Sequence, residues 1–377
     1  MEYTYLKDVC SITMGQSPES SSYNENGEGV PFFQGNADFG EVYPCVRVWS
    51  NEPKKMATAN DILISVRAPI GALNYAKEDC CIGRGLAAIT PSRKVNLKYI
   101  FYLLKAKNSE LNSKGTGSTF KAIGKSVLEE TLVPMLSLDE QDEIVSKIEC
   151  VESVIRKRRE QLIEFDNLIK SRFVEMFGNP ETNPKGWEQV TLKDVCSSIV
   201  RGPFGSALKK EFFVDPDETT YKVYEQKHAI QKSAIIGTYY VTSEKFNELK
   251  RFECVPGDIL MSCSGTMGEL YQLPENSERG IINQALCKFT LNEKILPICF
   301  LEYMKQTIGN LETKGSGIQN IAAVSYVKAM PINLPPMEIQ QRFAMFVDQV
   351  DKLKFEVQKS LDETQTLMDS LMQQYFG

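Results

Sequence analysis

Residues 139–177 and 338–376 carry apolar side chains at alternating steps of three and four, and this pattern constrains the chain more than any other feature in it. In the first stretch they are Ile144, Ile148, Val151, Ile155, Leu162, Phe165, Ile169, Phe173 and Met176, with Arg158 in the one gap. The second reads Ile339, Phe343, Phe346, Val350, Leu353 and Val357, slips at Ser360 and Thr364, and resumes at Leu367 and Leu371. Such alternation over roughly five heptads predicts the seam of a coiled coil. At about 1.5 Å per residue each stretch is a rod on the order of 57 Å long. A lone seam would be an apolar stripe in water, so each rod is the natural partner of the other. On this register Leu361 and Met368 lie off the seam and await cover from another protein. The alternative is a pair of amphipathic helices packed on their own domains, although globular helices average only about 11–12 residues.

The rods close two copies of one unit. Leu192-Lys193-Asp194-Val195-Cys196 repeats Leu6-Lys7-Asp8-Val9-Cys10 letter for letter. Gly257-Asp258-Ile259-Leu260 matches Asn60-Asp61-Ile62-Leu63, the strongest strand signal of the first copy, and Lys314-Gly315-Ser316-Gly317 matches Lys114-Gly115-Thr116-Gly117. A proline followed by a glutamine precedes or opens each rod (Pro134 and Gln141, Pro335 and Gln340), and each ends in Phe-Gly. A long-period duplication explains these matches. The expected fold is α+β, with globular units at 1–135 and 179–335 and helical regions at 136–178 and 336–377, related by a pseudo-twofold internal repeat. Gly178 to Trp187, with two prolines, reads as a linker. The Gly/Ser/Asn-rich residues 15–29 read as a mobile polar loop outside the core.

Charge is distributed unevenly. The net charge is −6, of which each rod holds −3, while the globular stretches stand near neutrality at +1 and −1. Local basic faces on the globular units are therefore compatible with a polyanion, and the acidic rods suit protein partners better than DNA. Ten cysteines without a CxxC pair and a single histidine, His228, speak against a zinc site or a disulfide framework and for reduced thiols in a cytoplasmic protein. No membrane-length apolar run and no signal peptide are expected.

Tests for enzyme signatures fail. The string from Gly117 to Ser126 ends like a phosphate-binding loop, but Thr119 stands where its first glycine is required. Asp217, Glu225 and Lys227 have the loose outline of a magnesium-dependent nuclease site. What repeats is loop chemistry suited to a polynucleotide: glycines that let backbone amides approach a phosphate, beside Lys114, Thr116, Ser118 and Lys121 in one copy and Lys314, Ser316, Gln319 and Asn320 in the other. Matching turns carry Gln34 and Asn36 against Gln226, Lys227 and His228; Arg67 against Ser264 and Thr266; and Arg84 against Gln284. These are residue types that pair with base edges. Because the glycines repeat while these residues differ, the copies read as one scaffold bearing two different readers; solvated loops are the plain alternative.

The duplicated Leu-Lys-Asp-Val start, the Asp-Ile-Leu strand, the Lys-Gly-Thr/Ser-Gly loop, the Pro-then-Gln approach to each rod and the Phe-Gly ends together resemble the specificity subunit of a type I restriction-modification enzyme, over essentially the entire chain. The resemblance implies that each globular unit is a target recognition domain reading one half of a bipartite double-stranded DNA site. The helices would pair as an antiparallel coiled coil, space the half-sites and dock two methyltransferase subunits, with motor-endonuclease subunits in the full complex. It implies further that this chain is catalytically inert and binds no cofactor, S-adenosylmethionine, ATP and magnesium belonging to the partner subunits. An autonomous nuclease and a duplicated scaffold that binds only proteins are the competing readings.

Overall fold

The computed structural model describes residues 2–117, 121–313 and 324–377, which divide into two compact units. One unit comprises residues 1–161 and 357–377, the other residues 162–356. Both long helices exist, each of 40 residues, as Leu138–Phe177 and Met337–Phe376, and the boundary between the units falls within each. Among the described residues no helix is long and apolar enough to cross a membrane. The ten cysteines are free thiols, all but Cys45 and Cys150 buried.

In the first unit four antiparallel strands lie in the order Cys10–Met14, Leu86–Pro91, Ile62–Ser65, Leu73–Tyr75. The Ile62–Ser65 strand is buried along its length, as expected of the apolar run that follows Asp61. A second, five-stranded sheet contains the parallel pair Val30–Phe33 and Cys80–Ile82. The second unit repeats both arrangements. Its four-stranded sheet runs Cys196–Arg201, Leu286–Leu291, Ile259–Ser262, Leu270–Gln272, and its other sheet contains the parallel pair Tyr221–Tyr224 and Gly280–Ile282. In each unit the strand before the rod pairs with the strand that opens the repeat: Leu132–Met135 with Glu2–Tyr5, and Pro331–Leu334 with Glu188–Thr191. The polar stretch 15–29, expected to be a mobile loop, is instead partly built into the first unit. The Tyr23 ring stacks on Phe32 at 4.8 Å, and the Ser22 hydroxyl meets that of Ser50 at 2.9 Å. Its polarity is satisfied internally, which composition alone does not reveal.

The glutamine near the start of each rod is a joint. Gln141 is fully buried; its Nε2 donates to the Leu136 carbonyl at 2.9 Å and its Oε1 accepts from the Asn96 amide at 2.8 Å. Gln340 repeats this with Nε2 donating to Lys294 (2.9 Å) and Pro335 (3.0 Å) and Oε1 accepting from Leu296 (2.9 Å). Each amide thus binds the rod to the strand exit before it and to the turn before a domain helix, Leu97–Ala106 or Pro297–Thr313.

Burial on the first rod follows the expected steps. Ile144, Ile148, Ile155 and Ile169 are buried, and Val151, Arg158, Leu162 and Phe165 are half-buried. The second rod departs from expectation after Phe343. Its inward positions are Val347, Val350, Lys354, Val357, Leu361, Thr364, Met368, Leu371 and Tyr375, an unbroken alternation of three and four without the slip. Leu353 and Leu367, expected on the seam, are exposed, and Phe346 is only half-buried. Leu361 and Met368, expected to await a partner, are buried within the chain. Within the second unit, contacts between the rods pair rising numbers on one with falling numbers on the other. Asp166 meets Lys354 at 2.7 Å, Arg172 lies over Phe346, and Phe173 and Phe177 both pack edge-on against Phe343. In the first unit Lys147 neighbours Tyr375, and Tyr99 packs on Phe376.

His228, expected at the surface as a contact residue, is fully buried. Its Nδ1 accepts from the Glu225 amide at 2.9 Å and its Nε2 donates to the Ile236 carbonyl at 2.6 Å, a pairing that fits the neutral ring. Burial holds its pKa below the ordinary imidazole value of 6.5, outweighing the two backbone bonds that pull it upward.

Gln340→Leu leaves a buried amide and two buried carbonyls unpaired, each worth about 1–3 kcal/mol. Thermal unfolding of Gln340→Leu is expected to shift down by about 5 °C or more, and an unchanged midpoint refutes the joint. A depressed histidine pKa keeps the folded ring neutral while the unfolded ring takes up a proton below about pH 6.5. Its contribution to stability is therefore intact above that pH and declines as pH falls toward the folded pKa. Denaturant midpoints of wild type are expected to drop more between pH 7.5 and 5.5 than those of His228→Gln; equal drops contradict this assignment.

Candidate nucleic-acid interface

In both units the loops that leave the C-terminal ends of four strands converge. In the first, these strands are Cys10–Met14, Val30–Phe33, Ile62–Ser65 and Cys80–Ile82. Their loops are locked to one another by backbone bonds. The Gly15 amide donates to the Leu86 carbonyl at 2.9 Å, Gly83 to Phe33 at 2.8 Å, Gly85 to Gln34 at 3.2 Å and Val66 to Gly85 at 2.9 Å. Gly15 is required by this closeness, since a Cβ there would sit 2.1 Å from the Gly83 carbonyl oxygen. The segment after the domain helices joins the same place through bridges from Ala122 to Arg67 and to Thr116, and through the Ala68 amide donating to the Lys121 carbonyl at 3.0 Å.

This frame brings together Gln34, Arg67, Arg84, Thr116 and Lys121, all exposed. The Ser17 hydroxyl, which sequence reasoning missed, ties two of them by donating to Gln34 Oε1 at 2.9 Å and accepting from the Arg84 amide at 3.3 Å. Among the described residues no ion pair neutralises Arg67, Arg84 or Lys121. Lys114 differs, since Glu110 holds its ammonium at 2.7 Å. Asn36 is half-buried in a short 3₁₀ turn whose start is capped by the Asp38 carboxylate, which accepts from the Gln34 and Gly35 amides. Ser118, Lys314, Ser316, Gln319 and Asn320 lie outside the described residues.

The second unit builds the same cluster from Cys196–Arg201, Tyr221–Tyr224, Ile259–Ser262 and Gly280–Ile282. Gly202 takes the place of Gly15: its amide donates to the Leu286 carbonyl at 3.0 Å, and a Cβ would fall 1.9 Å from the Asn283 carbonyl oxygen. The Cys263 amide donates to Ala285 at 2.8 Å and the Asn283 amide to Tyr224 at 2.9 Å. Gln226, Ser264, Thr266 and Gln284 come together here, but not all are free to read. The Gln226 amide donates to the Ser264 carbonyl and to that of Thr266 (3.2 Å), so it holds the 263–268 turn. Lys227 is paired with Glu225 at 2.6 Å, and His228 is buried, with its ring nitrogens engaged by the Glu225 amide and the Ile236 carbonyl. Gln284 is exposed beside Arg201, whose Nε donates to the Gln284 carbonyl at 3.5 Å. Arg201 and Phe204 lie in no sequence motif; the glycine between them, packed against another loop, is what marks them.

Of the nuclease outline, Glu225 and Lys227 meet, while Asp217 is engaged in its own turn. The Asp217 carboxylate accepts from the Thr219 amide (2.7 Å) and hydroxyl (2.8 Å) in its own turn, while Glu225 serves Lys227. Among the described residues no three His, Cys, Asp or Glu side chains gather as metal ligands. The clusters offer hydrogen-bonding side chains and cations on a fixed backbone, an arrangement suited to binding a polyanion with polar edges.

Comparison with known proteins agrees with the duplication. The family profile described as type I restriction modification DNA specificity domain matches twice, at residues 1–164 and 184–364. The type I restriction enzyme MjaIX specificity subunit of Methanocaldococcus jannaschii is 24% identical over 97% of this chain and 90% of that protein. The putative MjaX specificity subunit of the same organism is 46% identical, but over 40% of this chain and 36% of its own length. The crystal structure of the type I restriction-modification S subunit from M. genitalium aligns over 100% of this chain and 96% of that one, at 15% identity and a TM-score of 0.51. A chain from a structure concerned with complex assembly and conformational transition of the type I restriction-modification system aligns over 100% and 97%, at 18% identity and a TM-score of 0.66. The two matched segments span most of the sequence, and the chain belongs to the type I restriction-modification DNA specificity family, with two copies of its domain.

Proposed function

We propose that the two loop clusters are the base-reading faces of a DNA specificity subunit, each addressing one half of a bipartite site in double-stranded DNA. The observation that carries this reading is the convergence of Gln34, Arg67 and Arg84 at strand ends with Lys121 beside them, and of Ser264, Thr266 and Gln284 at the same place in the repeat, where the buried Arg201 holds the Gln284 carbonyl. Arginine and lysine suit guanine N7 and O6 and the phosphates, glutamine suits adenine, and hydroxyls suit either. Because the residues differ while the frame repeats, the half-sites should differ in sequence. Gln226, Lys227 and His228 act in this reading as supports of the second face.

The working domains on this reading are 1–135 and 179–335, with 136–178 and 336–377 as helical regions paired antiparallel in a coiled coil. A helix of 40 residues is about 60 Å long at 1.5 Å per residue. That length corresponds to about 18 base pairs at 3.4 Å each, enough to hold two readers on separate groove exposures. The rods' acidic surfaces favour docking of methyltransferase subunits over DNA. S-adenosylmethionine, ATP and magnesium would be held by partner subunits, this chain contributing address and no catalysis.

Binding tests this directly. The full chain with its methyltransferase subunits is expected to retain duplex DNA in a strongly salt-dependent manner, and a chain that holds only proteins would show no such retention. Arg84→Ala is expected to relax discrimination at one base pair by about 1–3 kcal/mol, altering one half-site in methylation sequencing and leaving the other intact. Shortening both rods by one heptad is expected to change the spacer while preserving both half-sites; an unchanged spacer removes the ruler.

A further inference from the structure

The most unusual side chain in either cluster is Phe204. The residue is 61% exposed, although it stands among polar loops on a fixed backbone. The Arg201 guanidinium lies 5.0 Å from its centroid, Arg201 is itself buried, and the intervening Gly202 is clamped between the Leu286 and Asn283 carbonyls. Arg201 also binds the Gln284 carbonyl, which places the ring's support next to a proposed reader. With a cation over the ring and a rigid anchor beside it, the exposed residue still leaves apolar surface in water. The corresponding position of the first unit, two residues past Gly15, is Ser17, which is engaged with Gln34 and Arg84. The aromatic is therefore a property of the second reader and not of the shared frame.

We infer that Phe204 is the residue with which the second unit recognises a thymine 5-methyl group in its half-site. The inference rests on the DNA-reading function proposed above. The edges that base pairs present in the grooves of undistorted B-DNA are hydrogen-bonding groups, with the thymine methyl as the apolar feature of the major groove. An exposed ring held among base-reading loops thus has one complementary surface on an undistorted duplex. Covering one methyl against the ring excludes water from both and needs no movement of the loop.

The test uses the full chain assembled with its methyltransferase subunits. Selection from a randomised duplex pool first defines the bound sequence, and each thymine of the second half-site is then replaced by uracil, which removes only the methyl. One uracil is expected to weaken binding about fourfold, the worth of about one buried methyl. In Phe204→Ala that dependence disappears, while Phe204→Leu retains part of it and selection at the first half-site stays unchanged in both. Uracil replacements without Phe204-dependent effect, or a second half-site lacking thymine, overturn the inference. So does brightening of a 2-aminopurine reporter that vanishes in Phe204→Ala, since the ring would then be inserted between base pairs. A pool that yields no enriched sequence instead removes the DNA-reading function itself.

Discussion

A buried side-chain amide joins each long helix to its globular unit. Gln141 and Gln340 each satisfy backbone groups from two separate segments, the strand exit before the rod and the turn that starts a domain helix. An unpaired amide or carbonyl in such a place would cost about as much as several surface contacts could restore. The start of each helix is therefore fixed in position and direction by a small set of directional bonds. Burial along the rods then works on elements whose origins are already set.

This joint also explains why the sequence could be read as far as it was. A glutamine a few residues after a proline is conspicuous in both copies, and the duplicated motifs it accompanies mark the domain frame without knowledge of any contact. The first rod was legible because the steps of three and four through Ile144, Ile148, Ile155 and Ile169 coincide with its buried face, while Val154, Ile163, Leu168 and Val174 fall outside it. The second was not, because Phe346 stands beside Val347 and Leu367 beside Met368, so two registers were available. Leu353 against Lys354 tipped the choice toward the more apolar one. In the structure Lys354 reaches Asp166 from a half-buried position while Leu353 faces water. Periodicity weighs hydrophobicity and does not see a lysine whose stem lies inward and whose charge is paired.

The candidate faces show a similar division. Glycines and strand ends located the loops, since close backbone approach leaves a mark in composition. Which side chains remain available did not show, because that depends on partners far apart in sequence. Gln226 and His228 read as contact residues by type, yet both spend their polar atoms on backbone groups. Ser17 falls in a stretch that reads as a mobile polar loop and Arg201 lies in no sequence motif, yet they organise the two clusters. Position in the frame is thus the better guide to the scaffold, and only the hydrogen-bond accounting separates readers from supports.

The division of the long helices between the two units has a bearing on the order in which the chain can fold. Residues 162–356 form an uninterrupted segment that contains all of its own unit. The other unit combines residues 1–161 with residues 357–377, so its share of the second helix is made only after the whole of residues 162–356. During synthesis Tyr99 and Lys147 lack Phe376 and Tyr375 until that segment arrives, although the strands and helices of residues 1–161 are already available. The unit whose sequence comes first is thus the one completed last.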